Sequence, residues 1–91
     1  MYSVIVLRKA QRVIEQLDGS LDGVEIDAII ESLPDDPAPS EAWTPEGEPQ
    51  SKFFYVGENR KWMVAYEIDE ASLVVYVHSI ERRQSANLDP R

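Results

Sequence analysis

The spacing of apolar residues divides the first third of the chain into one strand-like segment and two helix-like segments. Residues 2–7 form a short apolar run rich in β-branched side chains, which predicts a strand. Apolar residues in segments 10–17 and 26–33 recur at i, i+3, i+4 and i+7, the spacing of an amphipathic helix. Gly19 separates these segments and Pro34 ends the second, so we expect two short helices joined as an antiparallel hairpin.

The rest of the chain predicts a loop followed by three strands. Residues 34–49 are rich in Pro and acidic residues, as is typical of a loop, and Trp43 is expected to pin this loop to the core. Residues 52–56, 62–68 and 73–80 are apolar runs separated by polar turns, which predicts a meander. The last run is apolar on both faces, so we expect it in the middle of the sheet.

Together these elements predict an α+β fold of two layers. The N-terminal strand and the αα hairpin are expected to pack on an antiparallel β meander, with the helices on one face of the sheet. The other face is then available to bind a partner. A chain of 91 residues is long enough for one domain, which we place at residues 1–85, with residues 86–91 as a frayed C-terminal tail.

Formal charge is distributed unevenly along this acidic chain. The net charge is −8, and residues 13–51 contain eleven acidic side chains and no Lys or Arg. The second predicted helix carries much of this charge on its outer face. Basic residues fall into three clusters that could meet on one surface and bind a polyanion or an acidic partner, Arg8-Lys9-Arg12, Arg60-Lys61 and Arg82-Arg83.

Several classes of site are excluded by composition. The chain has no Cys, so it can form neither a disulfide nor a thiolate metal site. Its early apolar run is too short for a signal peptide or a membrane helix, so we expect a cytoplasmic protein that does not bind membranes. The sequence contains no phosphate-binding glycine motif and a single His, so we expect no cofactor and no metal.

Four segments together resemble the RelE/ParE superfamily of bacterial toxins. They are "YSVIVLRKA", "VIEQL", "IIESLPDDP" and "VGENRKWMVAYEIDEASLVVYVHSIERR". The resemblance implies a plasmid stabilisation-like toxin of a type II toxin–antitoxin module, neutralised by a small antitoxin. RelE-like members cleave mRNA in the ribosomal A site and ParE-like members poison DNA gyrase, so the resemblance makes the ribosome with its mRNA and DNA gyrase candidate targets and leaves another target open.

The family's RNase pattern is only partly matched. Its Arg after the last strand falls on Arg83, but its strand Arg falls on Met63, and its C-terminal Tyr is missing near Leu88 or Asp89. If the chain is a ribosome-dependent endonuclease, the candidates for phosphate stabilisation are Arg83, Arg60 and Lys61, and those for proton transfer are His78 and Tyr76.

Further basic residues are candidates for binding phosphate or a partner, namely Arg8, Lys9, Arg12, Lys52 and Arg82. Three functions therefore stay open. The first is a toxin-family protein with degenerate or no RNase activity, bound by an antitoxin. The second is a non-toxic protein-interaction module that uses its acidic helical face and loop. The third is an mRNA endonuclease with a rearranged site.

Overall fold

A strand and two helices precede a three-stranded meander in the computed structural model, which describes residues 1–40 and 42–83. The predicted tail at residues 86–91 lies outside the described residues. The elements are β1 (Ser3–Val6), α1 (Arg8–Gln16), α2 (Leu21–Ser32), β2 (Ser51–Val56), a 3₁₀ turn (Glu58–Arg60), β3 (Trp62–Asp69) and β4 (Val74–Arg82). Among the described residues, no helix is long and apolar enough to cross a membrane.

The four strands form one mixed sheet in the order β1-β4-β3-β2. Strands β2, β3 and β4 are antiparallel neighbours, which confirms the predicted meander and the central position of its last strand. Strand β1 pairs with β4 in parallel, with Val6 opposite Val77. The helices and the long loop carry the chain across the sheet, from the β1 edge to the β2 edge.

The hydrophobic core lies between the helices and one face of the sheet. Alternate residues of β3 are buried, as the period-two pattern of this strand predicts, and the helices contribute residues from their inner faces. A fully buried aliphatic side chain contributes roughly 1.5–3 kcal/mol to folding. The core consists of Ala10, Ile26, Leu33, Val56, Val64, Tyr66, Ile68, Val75, Val77 and Ile80.

The connection between the helices is tight because of two small residues. Ser20 is the N-cap of α2, where its hydroxyl accepts a hydrogen bond from the Gly23 N–H at 3.0 Å. A Cβ at Gly23 would collide with the carbonyl oxygen of Leu17, so only glycine allows the two chain segments to approach this closely. The predicted hairpin therefore depends on a backbone contact.

Tyr66, and not Trp43, pins the Pro-rich loop to the core. The buried Tyr66 donates its hydroxyl hydrogen bond to the Pro37 carbonyl at 2.8 Å. Trp43 is 54% exposed and pairs through its backbone with Phe53 at the β2 edge. The expectation that Trp43 packs into the core is wrong, because its pairing directs the indole to the sheet face opposite the helices.

Candidate functional site

The sheet face opposite the helices, called the open face here, carries aromatic side chains at its β2 edge. Phe53 and Tyr55 are two residues apart, so both point to this face, beside Ala65 and Met63 of β3. Ring centroids are 6.3 Å apart for Trp43–Phe53 and 5.4 Å apart for Phe53–Tyr55. We call these three residues the aromatic cluster. No described helix covers it.

Arg83 extends the aromatic cluster with a fixed cation. Its guanidinium lies 4.4 Å from the centroid of the Tyr55 ring, a cation–π distance. One of its nitrogens donates to the carbonyl oxygen of Arg60 at 3.3 Å, and its backbone N–H donates to the carbonyl of Lys61 at 2.6 Å. Tyr55 is the register partner of Met63, so Arg83 lies near the position of the missing family Arg.

The turn that supports Arg83 is fastened to the helix layer by Asp22. This carboxylate accepts from the Trp62 indole N–H at 3.0 Å and pairs with the Lys61 ammonium at 3.4 Å. Gly57 packs against the same carboxylate, with φ of 88°. We call the Asp22–Lys61–Trp62 contacts the clasp. These contacts direct the Lys61 ammonium group towards the helix layer, away from the Arg83 guanidinium.

Arg60 stays near the aromatic cluster while its backbone is strained. Asn59 and Arg60 have φ of 59° and 53°, in the left-handed region that ordinary residues rarely adopt. The Arg60 side chain is exposed and borders a surface pocket of about 410 Å³ with Ala42 and Trp43. Of the three predicted phosphate-stabilising residues, the structure therefore brings Arg60 and Arg83 to one region and places Lys61 elsewhere.

Two of the other predicted cations lie on the helix-facing side of the sheet. Lys52 is the register partner of Tyr66, and its ammonium donates to the Thr44 hydroxyl at 2.8 Å. Arg82 is the register partner of Trp62 and is exposed at the end of β4. Neither joins Arg83 on the open face, because adjacent strand residues point to opposite faces.

The residues of the N-terminal basic cluster lie in two different surroundings. Lys9 forms an exposed salt bridge of 3.2 Å with Glu81. Arg8 and Arg12 border a shallow surface pocket beside Glu15 on the outer side of α1. Because Lys61 and Arg82 face the helix layer, the predicted basic clusters are split between the two sides of the sheet.

The proton-transfer candidates lie far along β4 from Arg83. His78 occupies a register irregularity of the β3–β4 pair and contacts the Glu67 carboxylate at 3.1 Å. Five residues of extended strand separate it from Arg83, or ~15 Å. Tyr76 lies further still in sequence. Among the described residues, no group of His, Asp and Glu side chains could hold a metal ion.

Comparison with known structures identifies the architecture. The isolated RelE toxin of E. coli superimposes with a TM-score of 0.77 at 15% identity, over 92% of this chain and 86% of that one. This chain has the RelE toxin fold. RelE in the archaeal RelE–RelB complex of Pyrococcus horikoshii gives a TM-score of 0.72 at 15% identity, over 91% and 96% of the two chains. E. coli RelE in its intact RelBE complex gives 0.76 at 15% identity, over 92% and 99%.

The similarity is one of fold and not of close sequence. No family model matches the sequence, and no curated protein matches it. The fold confirms the resemblance drawn from the quoted segments, since strand, helix pair and meander occur in the RelE order. At 15% identity the similarity shows the fold and assigns no role to any residue of the site.

Aromatic rings and guanidinium groups are the main side chains around Arg83 on the open face. Flat aromatic rings stack on bases or on apolar side chains, and an Arg over Tyr adds a weakly hydrated cation. Stabilising charge that develops on a phosphate needs several donors aimed at one point, with a proton acceptor in reach. Around Arg83, the described residues supply the rings and two guanidinium groups, but His78 and Lys61 lie elsewhere.

Sequence reasoning did not foresee the aromatic cluster. The spacing of Phe53 and Tyr55 was a usable signal, because residues two apart on a strand share a face. No local sequence pattern predicted that Trp43 joins the aromatic cluster, because its β-bridge to Phe53 connects the loop with a strand.

Proposed function

We propose that this chain is the toxin-fold component of a type II toxin–antitoxin module in the bacterial cytoplasm. It binds a small antitoxin, and its RNase activity is degenerate or absent. The observation that carries the proposal is the arrangement around Arg83, which stacks on Tyr55 beside Met63 with Lys61 engaged by Asp22.

The absence of strong cleavage follows from the chemistry that the reaction requires. Attack of a 2′-hydroxyl on phosphate needs a group within about 3 Å to take the proton. Of the two candidates for that role, His78 is ~15 Å along the strand from Arg83 and is engaged by Glu67, and Tyr76 lies further along β4. Met63 cannot replace a guanidinium, because a thioether carries no charge and donates no hydrogen bond.

Antitoxin binding is supported by the neighbours and by the composition of the open face. The similar structures from E. coli and P. horikoshii include RelE in complex with RelB. Trp, Tyr and Arg are the residue types that dominate binding energy at protein interfaces. Trp43, Tyr55 and Arg83 provide them within one region.

The catalytic half of the proposal is tested with purified protein and translating ribosomes. Wild type is expected to leave the mRNA intact. Met63→Arg restores a cation beside Tyr55, and Ala65→Arg is the matched control two residues along the same face. mRNA cleavage by the wild type at the rate of an active toxin would contradict the proposal, and cleavage confined to Met63→Arg would identify the position at which activity was lost.

The binding half is tested by induced expression with and without the small protein encoded next to this gene. We expect a stable complex, weakened by about tenfold or more in Trp43→Ala. Leu73→Ala, an exposed apolar residue in the β3–β4 turn, is the control. Growth arrest without mRNA cleavage would indicate gyrase or another target. If neither arrest nor complex formation occurs, the chain is a non-toxic interaction module instead.

A further inference from the structure

Helix α2 is apolar on two sides, although only one side faces the core. Gly23, Ile26 and Leu33 are buried at its inner face and cap. Leu21 is 85% exposed and Val24 is 62% exposed, and both point to solvent. An amphipathic helix needs one apolar stripe, and the core-facing side of α2 already supplies it.

The exposed apolar residues of α2 are aligned. Leu21, Val24 and Ala28 follow each other at i, i+3 and i+7, which places them on one line along the helix. Single exposed apolar residues are normal on protein surfaces, whereas these three lie next to one another along the helix. We call these three residues the outer stripe.

Acidic side chains border the outer stripe on both sides. At 100° per residue, Glu25 lies on one side, and Asp27 and Glu31 lie on the other. All three are exposed, and none forms a salt bridge with another residue in 1–40 or 42–83. The helix itself contains no Lys or Arg. An apolar centre with a charged rim is the general layout of a protein interface.

We propose that the outer stripe and its acidic rim form a docking surface for a basic amphipathic helix of another protein. The apolar side of that helix would cover Leu21 and Val24, and its flanking Lys or Arg residues would meet Glu25, Asp27 and Glu31. This surface lies on the opposite layer from the open face, so it is distinct from the antitoxin site proposed above and does not depend on it.

Charge complementarity selects this occupant over others. Nucleic acid and anionic membranes carry the same sign as the rim and are repelled by it. A second copy is disfavoured, since its α2 brings the same acidic rim. Its basic residues Arg8 and Arg12 lie on α1, whose exposed side is otherwise polar.

The test measures binding of a synthetic helix of leucine and lysine at amphipathic spacing to the full chain, by fluorescence anisotropy. Leu21→Ser with Val24→Ser leaves the charge unchanged and is expected to weaken binding about tenfold or more. Leu73→Ser, an exposed apolar residue outside α2, is the matched control and should bind as wild type does. Both variants alter exposed positions, and circular dichroism verifies that they fold.

Two further measurements make the outcome decisive. Glu25→Gln with Glu31→Gln should weaken binding and reduce its salt dependence, because the rim supplies the attraction. Equal binding of the synthetic helix by wild type and the Leu21/Val24 variant would overturn the proposal. It would mean that only the charges of the lysine side chains hold the helix on the protein. Equal binding of the analogue with glutamate in place of lysine, or self-association through α2 in sedimentation, would also overturn it.

Discussion

Tyr66 shows how one side chain connects the core of this protein to its longest loop. The ring is 1% exposed and stacks on Phe54, while the hydroxyl reaches out of the core to the Pro37 carbonyl. Burial raises the pKa of Tyr66 above its usual range, and the nearby Asp36 carboxylate raises it further. Both causes disfavour the charged phenolate in the folded state.

The raised pKa predicts a loss of stability in alkaline solution that depends on Tyr66. The folded state holds the phenolic proton more tightly than the unfolded chain does. The stabilisation is therefore complete below the unfolded pKa of 10.0 and is lost as the pH rises towards the folded value. The free energy of unfolding should fall by up to about 1.4 kcal/mol per pH unit above pH 10. Urea unfolding between about pH 8 and 11 measures it.

Tyr66→Phe tests this assignment. At neutral pH the variant should be about 1 kcal/mol less stable, since the Pro37 carbonyl loses its donor. Above pH 10 the gap to the wild type should narrow, because Phe cannot ionise. Tyr76→Phe removes a hydroxyl with no hydrogen-bond partner among the described residues, and should cost less at neutral pH. A gap that stays constant across the pH range would refute the role of burial.

At the scale of elements, the clasp joins the start of α2 to the turn before β3. Gly57 makes this junction possible in two ways. Its φ of 88° and ψ of 173° are almost confined to glycine, and a Cβ there would lie 3.0 Å from the Asp22 carboxylate. The turn that carries Arg60 and supports Arg83 is thus held by a contact with a distant helix.

Gly57→Ala should therefore destabilise the fold more than a glycine substitution in open space. We expect a loss of about 2–3 kcal/mol, combining backbone strain with crowding of Asp22. Gly47→Ala is the matched control, since its φ is 81° and nothing lies within 4 Å of the added carbon. It should cost about 1 kcal/mol. Urea unfolding compares the two variants, and equal losses would show that contact with Asp22 is unimportant.

The sequence predicted the helices and strands themselves, but it predicted only part of their pairing and packing. The helix spacing of 10–17 and 26–33 and the alternation in β3 are local patterns, and each produced the expected element. The parallel pairing of β1 with β4 joins residues about seventy positions apart and leaves no local signal. The direction of Lys61 was equally hidden, because it depends on Asp22, which lies in another layer.

The whole molecule has an acidic helix layer on one side of the sheet and an open face with aromatic and basic side chains on the other. The stretch 13–51 without a basic residue includes the whole of α2, while Arg60 and Arg83 lie near the open face. Like charges at Asp27 and Glu31 are four residues apart on α2 and repel each other. The acidic surface and the open face therefore lie on opposite sides of the sheet. Repulsion between the carboxylates of the acidic surface lowers the stability of the folded state.

This charge distribution predicts that salt stabilises the fold. Raising NaCl from ~0.01 M to ~0.15 M shortens the Debye length from about 30 Å to about 8 Å and screens the repulsion on α2. Glu31→Gln should raise the free energy of unfolding by about 0.3 kcal/mol at low salt and reduce its salt dependence. Gln16→Lys changes the net charge equally but adds a like charge four residues after Arg12, so its effect should be smaller. Urea unfolding at both salt concentrations measures the free energy of unfolding of the wild type and both variants. A free energy that does not change with salt would mean that the carboxylates of α2 are too far apart in solution to repel each other.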